Sequence, residues 1–177
     1  MIENKKELKL GCIVMASGKA SRFGSNKLLE PLFGGTVIEY TLSSMIDIDN
    51  EIRSDGKLGL IVDGKKLIEE PLVVTRSREV ADVCFGLPVN CIVHNGIFQS
   101  DTIRHGLCSR FNDNWDGCMF LAADQPLLKR QSMIRLAKEF HKDPVHRNEL
   151  SSQGCRLHFP CTCPLGLISV FVFVALT

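Results

Sequence analysis

The feature that most constrains the fold is the alternation of short apolar runs with segments of helical spacing. The runs Leu10–Ala16 and 118–123 contain no charged residue, and their length is typical of strands buried on both faces of a sheet. Between such runs, apolar residues recur three and four positions apart, as on one face of a helix. This order predicts a mostly parallel sheet with helices on both faces, in which ligands bind beyond the carboxyl ends of the strands.

The same patterns give individual elements. The predicted strands are Leu10–Ala16, Leu72–Thr75, 89–93 and 118–123. A capping box of Thr36 and Glu39 opens the first helix. Ser77 caps a second helix, which extends through Cys84, and Ser100 caps a third. The apolar positions of the first, third and fourth helices are Ile38, Leu42, Met45, Ile46, Ile103, Leu107, Phe111, Met133, Leu136, Ala137 and Phe140.

The segment 50–70 is more polar than its neighbours and carries Asp63-Gly64 between two apolar runs. Asp-Gly in that setting signals a β-hairpin turn. We therefore expect a hairpin that lies outside the main sheet and only decorates an edge of the fold.

The composition indicates one globular domain. Of the 177 residues, 45% are hydrophobic and 23% are charged, which suits a single core that buries roughly two-thirds of the unfolded surface. The formal net charge is +1 and no long block of like charges occurs, so nucleic acid and membranes are not expected partners. The first residues are charged and lack the order of a secretory signal, which predicts a cytoplasmic protein.

The eight cysteines are expected to be reduced thiols, because the chain is long enough to need no disulfide framework. Single cysteines in apolar or mixed stretches usually act as small buried hydrophobes, and we assign no function to those at positions 12, 84, 91, 108 and 118. A second group, Cys155, His158, Cys161 and Cys163, does not have the usual spacing of a zinc site.

A cationic, glycine-rich loop follows the first strand, and residues 8–29 include no acidic side chain. Gly18 and Gly24 allow main-chain N–H groups to approach phosphate oxygens. Arg22 offers a planar fork and Lys27 a compact point charge. These residue types favour triphosphate binding.

The spacing in this loop fits neither a dinucleotide fingerprint nor a P-loop, because Phe23 stands where a P-loop has its second glycine. The alternative interpretation is an exposed turn whose charges are solvated, since charged loop residues are ordinarily found at the surface.

Three ordered segments resemble a known family. They are Met-Ala-Ser-Gly-x-x-x-Arg-Phe-Gly-x-x-Lys at 15–27, Gly-Ile-Phe-Gln-Ser-Asp-Thr-Ile-Arg-His-Gly-Leu at 96–107, and Leu-Ala-Ala-Asp-Gln-Pro at 121–126. Together they resemble the signatures of the molybdenum cofactor nucleotidyltransferases. The resemblance implies a Rossmann-like three-layer α/β/α sandwich of the nucleotidyltransferase type with a mostly parallel sheet, and it assigns nucleoside triphosphate binding to a domain at 1–150.

The resemblance also implies roles for particular residues. Ala16, Ser17 and Gly18 would contact the base and phosphates through their backbone. Arg22 and Lys27 would hold the triphosphate. These two, with Asp124 as the ligand of Mg²⁺, are the expected catalytic residues.

Asp124 suits this role because Mg²⁺ prefers one or two carboxylates together with phosphate oxygens. Its alternative role is to start a turn before Gln-Pro. Thr75 and Asn95 lie at strand ends and are candidates for base contact. Ser100 is expected to cap a helix whose N-terminus holds a nucleotide group.

The resulting functional hypothesis is transfer of CMP from CTP to the phosphate of a molybdopterin-type cofactor, with release of pyrophosphate. In the resembled family, Ala-Ala-Gly at the strand end goes with CTP and Ala-Gly-Gly with GTP. Ser17 occupies the deciding position and matches neither pattern, and its small side chain favours CTP. Two alternatives remain: a sugar-phosphate or polyol-phosphate nucleotidyltransferase, and a catalytically inactive nucleotide-binding remnant.

The tail at 151–177 departs from the resembled pattern. The family carries a second metal-binding aspartate in a later stretch, whereas no acidic residue follows Glu149 here. We expect an atypical apolar tail, truncated or altered, for example by a change of reading frame. Its apolar end is shorter than the roughly 20 residues of a transmembrane helix. A poorly ordered, adhesive terminus is expected, and the exposed apolar surface would favour a homo-oligomer.

Overall fold

The computed structural model describes residues 7–18, 26–46, 59–109 and 115–142, together with the backbone of 157–163 and 166–173. Arg22 and Phe111 lie outside the described residues, as do Cys155 and the side chains of the other three members of the zinc-like group. What the sequence predicts for them stays a prediction.

The helices and strands alternate as predicted over most of the described chain. The strands are β1 (Leu10–Ala16), β2 (Pro31–Leu32), β3 (Gly35–Thr36), β4 (Leu60–Val62), β5 (Lys65–Ile68), β6 (Leu72–Thr75), β7 (Asn90–Val93), β8 (Gly117–Ala122), β9 (Leu157–Cys163) and β10 (Gly166–Phe173). The α-helices are α1 (Val37–Ser43), α2 (Arg78–Phe85), α3 (Gln99–Leu107) and α4 (Arg130–Lys142), and a 3₁₀ helix spans Lys27–Leu29.

The main sheet has six strands in the order β7-β6-β1-β8-β10-β9. Strands β7, β6, β1 and β8 run parallel to their neighbours, as the buried apolar runs predicted. The chain leaves β1 towards β6 and β7 and later returns to the other side of β1 as β8. The strand order therefore reverses between β1 and β8, which makes this the topological switch point.

Successive residues of β1 pack on opposite faces of the sheet. Cys12 and Val14 join a core beneath α1, α2 and α4, whereas Ile13 joins a second core with Trp115 beneath α3. The same alternation in β6 and β8 completes three layers, because side chains point alternately to the two faces of a strand. The predicted α/β sandwich is confirmed.

The helix starts follow the predicted caps with one exception. In α1, Glu39 N donates to Thr36 Oγ1 at 3.4 Å and Thr36 N donates to Glu39 Oε2 at 2.7 Å. The prediction that Ser100 caps α3 is wrong, because α3 begins at Gln99. Asp101 performs this role instead, accepting from Phe98 N at 3.0 Å, and a carboxylate is also favoured near the positive end of the helix dipole.

The hairpin β4–β5 turns at Asp63 and Gly64, whose φ angles of 52° and 75° belong to the left-handed region. It forms its own two-stranded sheet, as predicted. The expectation that it only decorates an edge is wrong, because Leu60 and Ile68 are fully buried in the core. Burying such apolar side chains is what makes the insertion part of the folded domain.

Strands β9 and β10 correct the expectation of a poorly ordered terminus. β10 pairs antiparallel with β8, and β9 pairs antiparallel with β10. The tail thereby covers the edge that β8 would otherwise present, which satisfies backbone groups on both segments.

The cysteines whose side chains the structure describes, at positions 12, 84, 91, 108 and 118, are free thiols. Cys12 and Cys118 are buried, and burial raises the pKa of the Cys12 thiol to about 12. A thiol with so high a pKa is unreactive at neutral pH. Cys108 departs from the expectation of a buried hydrophobe, since it is exposed.

None of the helices in the described part of the chain combines the length and apolar character that a membrane crossing requires.

Candidate functional site

A pocket of about 270 Å³ lies at the carboxyl ends of β1 and β8, at the switch point of the sheet. Ser17 and Gly18 directly follow β1, and Asp124 follows β8. Helix α3 contributes two side chains from the far side. The lining residues are Met15, Ser17, Gly18, Lys27, Leu28, Gln99, Thr102, Ala122 and Asp124. The sequence predicts a ligand site at these two strand ends.

One side of the pocket is charged. The Lys27 ammonium contacts Asp124 Oδ2, and the two side chains are 45% and 37% exposed. Lys27 is held by the buried Leu28 next to it and by Asn26, whose side-chain oxygen accepts from Leu28 N at 3.2 Å. Exposed ion pairs contribute only about 0–1 kcal/mol to stability, so this pair is better suited to binding than to holding the fold.

Two buried threonines fix the strand ends that carry the site. Thr75 Oγ1 donates to Ala16 O at 3.0 Å, and Thr41 Oγ1 lies 2.9 Å from Ala123 O. Ala123 N donates to Met15 O at 3.1 Å, which ties β8 to β1 just before Asp124. The backbone on both sides of the pocket is therefore held by hydrogen bonds that water cannot reach.

The opposite side of the pocket is built on a buried histidine. His94 follows β7, and its Nε2 lies 2.8 Å from Ser17 Oγ and 3.1 Å from Thr102 Oγ1. Its Nδ1 accepts from Gly96 N at 3.1 Å. We call Ser17, His94 and Thr102 the His94 network.

The environment of His94 favours the neutral ring. Burial lowers the pKa of His94, and electrostatic interactions with His105 and Arg76 lower it further, while Asp101 acts in the opposite direction. The rings of His94 and His105 are 4.9 Å apart at their centroids. A neutral imidazole can accept at one nitrogen and donate at the other, which matches the contacts of His94.

Helix α3 reaches the sheet closely enough to bring Thr102 to the pocket because Gly106 has no side chain. A Cβ atom there would lie 2.8 Å from Ile13 Cδ1 and 3.2 Å from Val74 Cγ2. A larger residue would have to displace these buried methyl groups or the helix itself.

The structure brings together in one pocket Ser17, Gly18 and Lys27, which are expected to bind nucleotide, and Asp124, which is expected to bind Mg²⁺. Ala16 contributes backbone at the end of β1, where its carbonyl accepts from Thr75. Thr75 itself does not line the pocket; it is fully buried and its hydroxyl also accepts from Ser77 N at 3.1 Å. Asn95 and Ser100 are exposed and outside the lining, and Arg22 lies outside the described residues.

Sequence reasoning missed Gln99, Thr102 and His94. Thr102 lies within the second motif, and His94 follows a parallel strand at its carboxyl end, so position could have identified both. The sequence does not show that His94 contacts Ser17, because the two residues are 77 positions apart and only the fold brings them together.

Asp124 is the carboxylate that lines the pocket, and no group of three or more metal-ligating side chains occurs within the described ranges. This donor set suits Mg²⁺, which is usually bound by one or two carboxylates and by substrate phosphates rather than by an all-protein cage. It does not suit zinc, which needs three or four nitrogen, sulfur or carboxylate ligands.

Comparison with known proteins gives a family and a fold. The family model described as the MobA-like NTP transferase domain matches residues 12–163. A comparison with curated proteins found no match.

Solved structures share the architecture at low identity. Rv0371c from Mycobacterium tuberculosis is 17% identical with a TM-score of 0.54, covering 80% of this chain and 62% of its own. A CMP:2-keto-3-deoxy-manno-octonic acid synthetase complexed with CTP is 12% identical with a TM-score of 0.61, covering 94% and 74%. The 4-diphosphocytidyl-2C-methyl-D-erythritol synthase of Anaerococcus prevotii is 11% identical with a TM-score of 0.57, covering 95% and 72%. The chain thus spans 62% of the length of the Rv0371c chain and has the same fold.

Proposed function

Since the chain belongs to the MobA-like NTP transferase domain family, a family of nucleotidyltransferases, we propose that it transfers CMP from CTP to the phosphate of a molybdopterin-type cofactor. In this reaction an oxygen of the acceptor phosphate forms a bond to the α-phosphorus of CTP. The bond from that phosphorus to the bridging oxygen breaks, and pyrophosphate leaves.

The observation that carries this proposal is the pairing of Lys27 and Asp124 at the switch-point pocket. One cation and one carboxylate lie together at the carboxyl ends of neighbouring parallel strands, where α/β sheets bind nucleotides. Both are partly exposed, so a ligand can reach them. Their contribution to stability is too small to explain their placement.

The proposed roles follow from charge. A triphosphate offers Lys27 new anionic partners, which would release Asp124 to hold Mg²⁺. Bound Mg²⁺ would neutralise charge on the phosphate oxygens and help to align the groups. Gly18 and the backbone of Ser17 would lie against the nucleotide, and Arg22 would add a second cation to the triphosphate. No residue of the pocket needs to act as a covalent nucleophile.

The choice of CTP rests on Ser17. Ser17 follows β1 at the position where the resembled family distinguishes CTP from GTP. Its side chain is small, and its hydroxyl contacts His94 and donates to Val74 O at 3.1 Å. The synthetase of similar fold described above was solved in complex with CTP, which makes CTP the first nucleotide to test.

The test is binding of CTP, GTP, ATP and UTP by calorimetry, with and without Mg²⁺. We expect selective binding of CTP, weakening in Lys27→Ala, and loss of the Mg²⁺ dependence in Asp124→Asn. Matched controls are Lys142→Ala on α4 and Asp82→Asn on α2, which remove exposed charges that do not line the pocket. Equal affinity for all four nucleotides would reject the base assignment, and no binding by the wild type would reject the proposal.

Turnover decides the acceptor. Release of pyrophosphate from CTP is measured with molybdopterin, with a sugar phosphate and with a polyol phosphate. Turnover with molybdopterin alone supports the proposal. Turnover with a sugar or polyol phosphate would replace the acceptor, and nucleotide binding without turnover on any of them would identify a nucleotide-binding remnant.

A further inference from the structure

His94 lies behind the pocket and does not line it. The residue is 5% exposed, and its backbone N donates to Thr75 O at 3.0 Å. Because Gly96 N donates to Nδ1, the neutral ring carries its proton on Nε2. This nitrogen is the one that faces the pocket residues.

The Nε2 proton connects two elements on either side of the pocket. Ser17 Oγ donates to Val74 O at 3.1 Å, so the oxygen of Ser17 is an acceptor for Nε2, 2.8 Å away. Thr102 Oγ1 is 3.1 Å from the same nitrogen. Ser17 follows β1 and Thr102 belongs to α3, and both line the pocket. One buried ring therefore fixes the distance between the strand end and the helix.

We propose that His94 is a positioning residue for the nucleotide, holding Ser17 and Thr102 at the spacing that the nucleoside part of the ligand requires. The inference rests on the proposed function, because it assigns the pocket to a nucleotide. A site held in its binding conformation beforehand loses less conformational freedom when the ligand arrives. Loss of the ring would remove the contacts that couple Ser17 to Thr102, and it would weaken binding without removing any atom that lines the pocket.

The proposed role of His94 should make nucleotide binding depend on pH. The groups that face the ring are Arg76 after β6 and Asp101 and His105 on α3. Protonation would place an N–H at Nδ1 against the N–H of Gly96, and the network would lose its acceptor. Because burial, His105 and Arg76 lower the pKa of His94, the network stays intact at neutral pH and fails on acidification.

The test is the affinity for CTP with Mg²⁺, measured by calorimetry from about pH 5 to about pH 8, the range in which histidine titrates. At neutral pH we expect His94→Phe, which keeps the ring volume without hydrogen bonds, to bind about tenfold more weakly. His94→Gln keeps a donor near the Nε2 position and does not titrate, so it should restore most of the affinity. The control is His141→Gln on α4, whose ring bonds Leu67 O instead.

The pH profiles separate positioning from simple structural support. We expect the wild type and His141→Gln to lose more affinity on acidification than His94→Gln does, because His94→Gln removes the titrating ring. Parallel profiles for the wild type and His94→Gln would overturn the inference. So would unchanged affinity in His94→Phe when the wild type binds CTP, and the proposed function would then stand.

Two further measurements protect the test against misfolding of His94→Phe. Ser17→Ala and Thr102→Val retain the histidine, and each should weaken binding of CTP by a smaller factor than His94→Phe does. In the wild type, ¹⁵N-resolved NMR of the imidazole should show the proton on Nε2, and a proton on Nδ1 would contradict the network. Failure of the wild type to bind any nucleotide would overturn the proposed function and this inference together.

Discussion

The two sides of the pocket are held by opposite means. On one side, the Lys27–Asp124 pair is charged, partly exposed and adjustable. On the other side, the His94 network is neutral and largely buried, and each member has a fixed partner. Water competes with the first set of interactions and is excluded from the second.

This difference separates two tasks that a binding site must perform. Charges that remain in contact with water can exchange one partner for another at little cost, which suits the capture of phosphates and a metal ion. Buried polar groups lose much more when a partner is removed, which suits them to keep the backbone in place. Substitutions on the two sides should therefore affect activity and stability in opposite proportions.

The largest expected effect is on turnover at the charged side. Asp124→Asn removes the carboxylate proposed to hold Mg²⁺, and a lost electrostatic contact of this kind costs roughly a hundredfold in rate. Pyrophosphate release at saturating CTP measures it, with Asp82→Asn as the control. The midpoint of urea unfolding should not change. A variant that keeps both its rate and its Mg²⁺ dependence would remove Asp124 from the site.

A smaller expected effect is on stability at the buried side. His94→Phe leaves the Gly96 N–H without its acceptor and removes the contacts that Ser17 and Thr102 make with Nε2, although Ser17 Oγ still donates to Val74 O. A polar group left unsatisfied in this way costs about 1–3 kcal/mol. Urea unfolding followed by circular dichroism gives the free energy. His141→Phe loses a single bond to Leu67 O and should cost less. Equal losses in the two variants would show that the His94 network has no special weight.

The sequence predicted the charged side better than the buried side, and the reason is physical. Asp124 follows the apolar run that becomes β8, and Lys27 belongs to the cationic segment between β1 and α1. Parallel strands bring their carboxyl ends to one edge of the sheet. The position of these two residues could be predicted without knowing which residues they contact. His94, by contrast, meets Ser17 only because β7, β6 and β1 are adjacent in the sheet and Gly106 lets α3 approach them.

The incorrect predictions for Ser100 and for the hairpin also concern contacts that the local sequence does not determine. Ser100 has the residue type of a cap, but α3 begins one residue earlier, at Gln99, and Asp101 accepts from Phe98 N at the start of the helix. The hairpin at Asp63-Gly64 was visible in the sequence, whereas the burial of Leu60 and Ile68 depends on contacts with distant elements. Local chemistry predicts turns and strands, and tertiary packing decides which of the alternatives is used.

A still smaller effect should appear when stability is followed against pH. The pKa of His94 is lowered below its ordinary 6.5 in the folded state, so the unfolded chain binds a proton more readily. Stability is therefore complete above that value and falls as the pH decreases through it towards the folded pKa. Asp101, with its pKa lowered below 3.8, acts only in a more acidic range. Unfolding free energies of the wild type and of His94→Gln should diverge below about pH 6.5, and curves that stay parallel would exclude His94 as the cause.

The smallest expected effect, a change in stability close to zero, is the most direct test of the comparison. Lys27→Met keeps the apolar stem of the side chain and removes the ammonium that contacts Asp124. The side chains of Lys27 and Asp124 are 45% and 37% exposed, respectively, so water can replace the lost contact. The unfolding free energy should therefore stay within about 0.5 kcal/mol of the wild type. The same variant should lose affinity for CTP, measured by calorimetry beside Lys142→Met. A large loss of stability would mean that the pair supports the fold, and the two sides of the pocket would then not differ in the way their exposure indicates.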